Sequence, residues 1–361
     1  MNQKSVVIGM SGGVDSSAAA YLLKKEGYNV IGVTMKTWHE HTDTPEDEQS
    51  VCDALKVAKT LGIEHHVVDF SNIFKAKVVE PFADEYYKGR TPNPCLLCNR
   101  YVKWEALLDF ADQIGADYVA TGHYASVVRL ENGRYSLKKA PGGKDQTYAL
   151  YALLQEQLSR TLMPAAKYTK DEIREIAAKA GLKVADKPDS QDICFIPDGD
   201  YKAFLERYTG KKPQPGHFVD QDGRVLGCHS GTCCYTIGQR KGLNLSMGRP
   251  VFVTEIRAEQ NEVVIGDAKD VFGSSLIASN LNWMAIEKPQ AAIRTWAKIR
   301  YAAKPAACTV TVRKDEVYGD IAEVVFDEPQ RAITPGQAVV FYGAQGCEDI
   351  VVGGGVIIKK T

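Results

Sequence analysis

Val6-Val7-Ile8-Gly9-Met10-Ser11-Gly12-Gly13-Val14-Asp15-Ser16 passes from an apolar run through a glycine pair into an amphipathic stretch, residues 17–26. That order predicts a strand, a glycine-rich turn and a helix. Adjacent glycines let backbone approach an anion closely, the first N–H groups of a helix have no internal partner, and the helix dipole favours negative charge there. Ser11, Ser16 and Ser17 add hydroxyl donors, so the turn reads as a phosphate cradle. It lacks both the Gly-Lys-Ser/Thr ending of a P-loop and the three-glycine spacing of a dinucleotide fold.

Outward from this turn, strand-like runs at residues 30–35, 66–70 and 118–121 alternate with helical patterns at 47–61, 73–87 and 103–114. Strand, helix, strand in succession implies a parallel sheet with helices on both faces. Ligands of such sheets sit at the carboxyl ends of the strands, which sets Met35 and Thr121-Gly122-His123 beside the cradle. Asn132-Gly133 between two short apolar runs signals a type I′ hairpin, and a helix is expected to start near Asp145. Thr169-Lys170-Asp171-Glu172 is a capping box opening a helix over 173–180, part of a helical appendix at about 160–210. A short helix over 201–208 and the linker Lys211-Lys212-Pro213-Gln214-Pro215-Gly216 follow.

After the linker the pattern is β, with a turn at Asp222-Gly223 and paired runs at 251–253 and 263–265. Two small β units divided near 271–280 are expected, giving domains of 1–210, 211–275 and 276–361. On a strand through 291–301, alternation gathers Arg294, Trp296, Lys298 and Arg300 on one face, a stripe suited to phosphate and sugar but equally to a solvated edge. Gln239-Arg240-Lys241 between two glycines is a second candidate phosphate clamp.

With 361 residues, 44% hydrophobic and 25% charged, the chain is long enough for two or three domains. A net charge of −1 gives no global attraction to nucleic acid, so RNA binding needs local basic patches. No run resembles a membrane span, and the first strand begins too near Met1 for a secretory leader, so a cytoplasmic protein is expected. In that reducing compartment the nine cysteines direct attention to metal ligation or thiol chemistry. Asn93-Pro94-Cys95-Leu96-Leu97-Cys98 precedes a helix, and the i, i+3 spacing puts both thiols on one face where the dipole favours thiolates. Cys194 lies in the irregular stretch Asp189-Ser190-Gln191-Asp192-Ile193-Cys194-Phe195. A lone CxxC leaves open structural zinc with Cys228, His229, Cys233 or Cys234, inert buried thiols, or a reactive or cluster-binding set.

The turn resembles that of the ATP-pyrophosphatase superfamily, and over nearly its whole length the chain is similar to the tRNA-specific 2-thiouridylases. The residues carrying the likeness are the 9–16 loop, Met35, Gly89-Arg90-Thr91-Pro92-Asn93-Pro94 ahead of Cys98-Asn99, Ala120-Thr121-Gly122-His123-Tyr124 and Lys144-Asp145-Gln146. Further on come Ile193-Cys194-Phe195-Ile196, Tyr235-Thr236-Ile237-Gly238-Gln239-Arg240-Lys241-Gly242, Arg300-Tyr301 and Thr334-Pro335-Gly336-Gln337.

The resemblance implies a parallel-sheet PP-loop domain (adenine nucleotide alpha hydrolase-like) followed by two small β-rich domains, the last a β-barrel. It also implies ATP-dependent 2-thiolation of the wobble uridine of tRNA, by adenylation of the uracil C2 oxygen and then sulfur transfer. ATP would lie on Gly9, Met10, Ser11, Gly12, Gly13, Val14, Asp15, Ser16, Met35 and Gly122, with Mg2+ near Asp15. Cys98 would be the nucleophile and Cys194 the persulfide carrier. Asn93, Pro94 and Cys95 would lie against a flipped-out base, while His123, Lys144, Asp145, Gln146, Arg300, Tyr301 and Gln337 would contact tRNA. Acceptors of the Lys, Glu and Gln type, and a persulfide-donating carrier protein or free sulfide, are the implied partners, with no membrane.

One residue departs from the family pattern, because better-known members carry Asp where this chain has Cys95. Cys95, Cys98 and Cys194 suit three irons of a 4Fe-4S cluster whose fourth iron binds hydrosulfide. The rival is the persulfide route, with Cys98 and Cys194 exchanging sulfur through a transient disulfide. Two other functions stay open: another adenylating synthetase of the superfamily acting on a small molecule, and a non-catalytic tRNA-binding protein with a structural metal.

Overall fold

The computed structural model describes residues 3–38, 45–141, 143–185, 193–343 and 349–361. Two compact units emerge, one of residues 1–78, 95–195 and 349–351, the other of 79–94, 196–348 and 352–361.

In the first unit the strands are β1 (Ser5–Gly9), β2 (Asn29–Lys36), β3 (Glu64–Asp69), β4 (Tyr118–Ala120), β5 (Ala125–Arg129), β6 (Tyr135–Lys139) and β7 (Thr161–Leu162). Five of them form a parallel sheet in the order β3-β2-β1-β4-β7. Central β1 is covered on both faces, which is why Val6, Val7 and Ile8 form an unbroken apolar run with no exposed surface. Each such side chain stabilises the fold by roughly 1.5–3 kcal/mol. Helix α1 (Val14–Lys25) lays Ala18, Ala19 and Leu22 into the core that holds Val6 and Ile8, and helix α2 (Pro45–Leu61) adds Ala54, Val57 and Leu61. Ile173 and Ala177 of the Lys170–Lys179 helix enter the same core. That helix opens on the expected capping box, Thr169 Oγ1 accepting from Glu172 N–H at 3.3 Å and the Glu172 carboxylate from Thr169 N–H at 2.7 Å.

The β5–β6 hairpin turns at Asn132-Gly133, Gly133 having φ 83° and the Asn132 side-chain Oδ1 accepting from Arg134 N–H at 3.0 Å. The helix expected near Asp145 is only a 3-10 turn, Thr147–Leu150, with the Asp145 carboxylate accepting from Thr147 N–H at 3.0 Å and from Thr147 Oγ1 at 2.9 Å.

In the second unit, β8 (Gly216–Val219), β9 (Val225–His229), β10 (Phe252–Arg257) and β11 (Glu262–Gly266) make a sheet in the order β10-β11-β8-β9. β12 (Phe272–Trp283), β13 (Ile293–Lys298), β14 (Ala306–Asp315), β15 (Gly319–Arg331), β16 (Ala338–Tyr342) and β17 (Val351–Lys360) close a barrel around Leu276, Ala297, Cys308, Val310, Val324 and Phe341. β12 starts at Phe272, within the stretch 271–280 where the two β units were expected to divide.

Arg294, Trp296 and Lys298 do share the outer face of β13, but that strand ends at Lys298, so Arg300 leaves the stripe. Arg294 is also already engaged, its guanidinium donating to both Asp327 carboxylate oxygens at 2.8 and 2.6 Å. No helix among the described residues is long and apolar enough to cross a membrane.

Candidate active site

The cradle is shaped by close backbone approaches. Gly12 has φ +68°, and a Cβ there would meet the Ser50 carbonyl oxygen at 2.5 Å. Gly13 precedes α1 in extended conformation, and its carbonyl accepts the hydroxyls of Ser16 at 3.3 Å and Ser17 at 2.8 Å. Ser11 N–H donates to Ser16 Oγ at 3.3 Å. From the neighbouring strand ends, a Cβ on Gly9 would meet the Met35 methyl at 3.1 Å, and one on Gly122 would lie 2.6 Å from Asp15 C and Ser16 N. The sheet order therefore brings Met35 and Gly122 to the turn, as the strand ends predict.

Asp15 stands at the start of α1 in a cluster of donors. Tyr124 Oη donates to its carboxylate at 2.6 Å and Lys170 Nζ at 2.7 Å, while Lys144 Nζ lies 3.7 Å away and 4.9 Å from the Tyr124 ring centroid. A carboxylate set between two ammonium groups does not fit an Mg2+ ligand in this arrangement. Gln146 braces the same region, its side-chain carbonyl accepting from Tyr124 N–H at 2.8 Å and its own N–H donating to Tyr124 O at 3.0 Å. Thus Lys144, Asp145 and Gln146, expected to face RNA, each hold a bond within this unit.

His123 follows Gly122. Its Nδ1 shares a hydrogen bond with Thr121 Oγ1 at 2.8 Å, and its ring centroid is 5.5 Å from that of Trp104. Desolvation, helped by the Lys103 charge, holds this imidazole well below its usual range, so it is neutral at pH 7. Trp104 is fixed by Nε1–H donating to Thr161 Oγ1 at 2.7 Å.

The cysteines lie on the next element. Pro94–Leu97 is α-helical, Cys98–Ala106 winds as a π-helix and Leu107–Gln113 returns to α. Because a π-helix bonds i to i+5, Lys103 comes one turn after Cys98, which explains why its charge acts on that thiol. Dipole stabilisation of a thiolate at Cys98 does not prevail. Burial outweighs Lys103 and pushes the Cys98 thiol up.

Cys194 is brought beside this helix, for Cys98 and Cys95 both act on its thiol electrostatically. Phe195, next to it, packs edge-on against Phe74 at 5.6 Å between ring centroids. Protein closes around most of the Cys194 sulfur, and desolvation with the neighbouring Cys98 pushes the thiol up to about 12. Its side chain is nonetheless exposed. Exposure is the better guide to whether a donor can reach the sulfur, since one open side suffices. Residues 189–192 of the same motif, and Cys347, lie outside the described residues.

Cys95, Cys98 and Cys194 form no ready metal site in this structure. Among the described residues no three His, Cys, Asp or Glu side chains stand close enough to hold a metal ion. That also covers zinc on Cys228, His229, Cys233 and Cys234. Cys308 is a barrel-core residue, its thiol pushed up to about 12 by burial.

The remaining candidates belong to the second unit. Gln337 Nε2 donates to Thr91 O at 2.7 Å, Tyr301 is exposed beneath Lys298 Nζ at 5.6 Å from the ring centroid, and Asn93 and Pro94 lead into the cysteine helix. Sequence reasoning did not single out Lys103, Lys170 or Tyr124. Lys170 had been visible only as a residue of a capping box, and Lys103 only as a helical residue.

Three family models match in succession: the tRNA methyl transferase HUP domain over residues 4–198, the tRNA methyl transferase PRC-barrel domain over 202–267 and the aminomethyltransferase beta-barrel domain over 273–357. The tRNA-specific 2-thiouridylase MnmA of Lachnoclostridium phytofermentans is 57% identical, covering 99% of this chain and 100% of the relative. Its namesake from Clostridioides difficile is 50% identical over 100% and 99%. Among solved structures, the U34-tRNA thiolase NcsA from Methanococcus maripaludis with its 4Fe-4S cluster has 21% identity and a TM-score of 0.36, covering 58% of this chain and 68% of that one. So slight a likeness transfers nothing about a cluster. Full-length agreement with the thiouridylases does decide the family: the chain belongs to the tRNA-specific 2-thiouridylases.

Proposed function

We propose that this chain catalyses ATP-dependent 2-thiolation of the wobble uridine of tRNA by the persulfide route. What supports it is family membership and, within one unit, the succession of cradle, Gly122, His123, Lys103 and the thiols of Cys98 and Cys194. ATP on residues 9–16, flanked by Met35 and Gly122, presents its α-phosphate to the uracil C2 oxygen. The oxygen attacks phosphorus, and pyrophosphate leaves with the electron pair of the broken P–O bond. AMP is a far better leaving group than oxide.

The terminal sulfur of a persulfide on Cys194 then adds to C2 and AMP departs. Cys98 thiolate attacks the Cys194 sulfur and breaks its bond to the transferred sulfur. A thiocarbonyl stays on the base and a Cys98–Cys194 disulfide on the protein, to be reduced by exchange with a dithiol that is itself oxidised to a disulfide. Exposure of Cys194 suits reloading by a persulfide-donating carrier protein, whose outer sulfur passes to the Cys194 thiolate while the carrier leaves as a thiol.

The base must leave its stack to reach the cradle, with Asn93, Pro94 and Cys95 against it. Mg2+ accompanies ATP on its phosphates. tRNAs of the Lys, Glu and Gln type are the substrates, and the cytoplasm is the compartment. The test is incubation of the protein with unmodified tRNA, ATP and a persulfide donor, followed by nucleoside mass spectrometry. One AMP is expected per 2-thiouridine. Thiolation without ATP, or with ADP as product, would refute the reading.

A further inference from the structure

In the second unit a cleft of about 450 Å³ is lined by Lys202, Cys234, Thr236, Gly238, Arg300 and Arg331, among others. Among the described residues none of its three cationic side chains is ion-paired with a carboxylate. The nearest acid in sequence, Asp200, is spent on the N–H groups of Lys202 and Ala203 at 3.1 and 3.0 Å. Among the described residues no carboxylate lines the cleft. That leaves both guanidinium groups uncompensated. Like charges gathered at one concave surface repel unless an anion joins them.

The lining is also held rigidly. Residues 236–239 form a turn with Gly238 at φ 86°, closed by Gln239 N–H to Thr236 O at 3.0 Å and by Thr236 N–H to Gln239 Oε1 at 3.1 Å. Gly238 N–H donates to Val253 O at 2.8 Å. Arg331 lies over the Phe252 ring at 5.6 Å, and the residue after it, Ala332, is left-handed at φ 57° with its N–H bonded to Val271 O at 2.9 Å. A residue with a Cβ keeps that conformation only where its surroundings enforce it, and such strain clusters at ligand sites.

We propose that this cleft is a phosphodiester subsite for the RNA backbone, with Arg300 and Arg331 as forked donors to the non-bridging oxygens and Lys202 and the Thr236 hydroxyl completing the shell. It rests on the reading of tRNA as substrate, and goes beyond it in assigning Lys202, Thr236 and Arg331. Guanidinium forks match phosphate geometry, and such contacts fix register without reading sequence.

The test is binding of unmodified tRNA to the full-length protein across a salt series, for wild type, Arg331→Gln and Arg331→Ala. Gln keeps much of the stem over Phe252, and melting curves report folding. Each lost phosphate contact should flatten the slope of log K against log salt by roughly 0.7–0.9. Both variants should bind on the order of tenfold more weakly at low salt, while ATP affinity stays unchanged. Folded variants with the wild-type slope and affinity would overturn the subsite. Failure of the wild type itself to bind tRNA would instead overturn the substrate reading.

Discussion

Substituting Gly122 by alanine probes the packing that shapes the nucleotide turn. A Cβ there would stand 2.6 Å from Asp15 C and Ser16 N and 2.9 Å from Asp15 O. Ordinary contact begins at 3.4 Å, so the two backbones must part by about 0.8 Å. Neither yields easily, because Tyr124 Oη is bonded to the Asp15 carboxylate at 2.6 Å and Gln146 braces Tyr124 on the other side. Overpacking of this kind costs about 1–3 kcal/mol, and a misplacement near 1 Å at a reacting group costs about 10²-fold in rate.

Gly122→Ala should therefore lower kcat/KM for ATP by roughly 30- to 100-fold in tRNA-dependent pyrophosphate release. Urea unfolding should shift by no more than about 3 kcal/mol. Gly133→Ala is the control, since Gly133 has φ +83° and open space around it. Its strain costs about 1 kcal/mol of stability and should leave kinetics unchanged. Near-wild-type ATP kinetics in a stably folded Gly122→Ala protein would refute the claim that this contact sets the site.

Cys98→Ala and Cys194→Ala should each abolish 2-thiouridine formation in a nucleoside assay, whereas Cys95→Ala should retain it; loss in Cys95→Ala would restore the cluster as a candidate. The raised Cys194 thiol keeps thiolate scarce below about 12, so its labelling by iodoacetamide, followed by peptide mass spectrometry, should climb about tenfold per pH unit from 7 to 10. A plateau near pH 9, as for an ordinary thiol, would contradict the burial argument. Arg294→Ala should change tRNA affinity by less than about twofold in the same salt series, because Asp327 already occupies its guanidinium. A loss as large as that of Arg331→Ala would return the β13 stripe to the RNA surface.

Much of the fold was legible because its signals are local. The apolar run of β1, the Asn132-Gly133 turn and the Thr169–Glu172 box each depend on neighbours within a few residues, and the sheet's parallel order followed from strand and helix alternation. The cradle and its flanks at Met35 and Gly122 followed from the same logic. What could not be read depended on distant partners. Asp327 claims Arg294 from another strand, and Asp15 gathers Lys144 and Lys170 from two separate segments. A π-helix carries no periodicity that marks it out over nine residues, so the Cys98–Lys103 relation was hidden. Burial likewise reversed the thiolate expectation at Cys98, since desolvation is a property of the packed fold.

The central claim is that Cys98 and Cys194 meet as a sulfur-exchanging pair. Mild oxidation of the intact protein with diamide, followed by non-reducing proteolysis and mass spectrometry, tests it most directly. A peptide joining Cys98 to Cys194 should predominate and vanish on reduction. Recovery of the two thiols in separate, individually alkylated peptides, with no joined species, would contradict it.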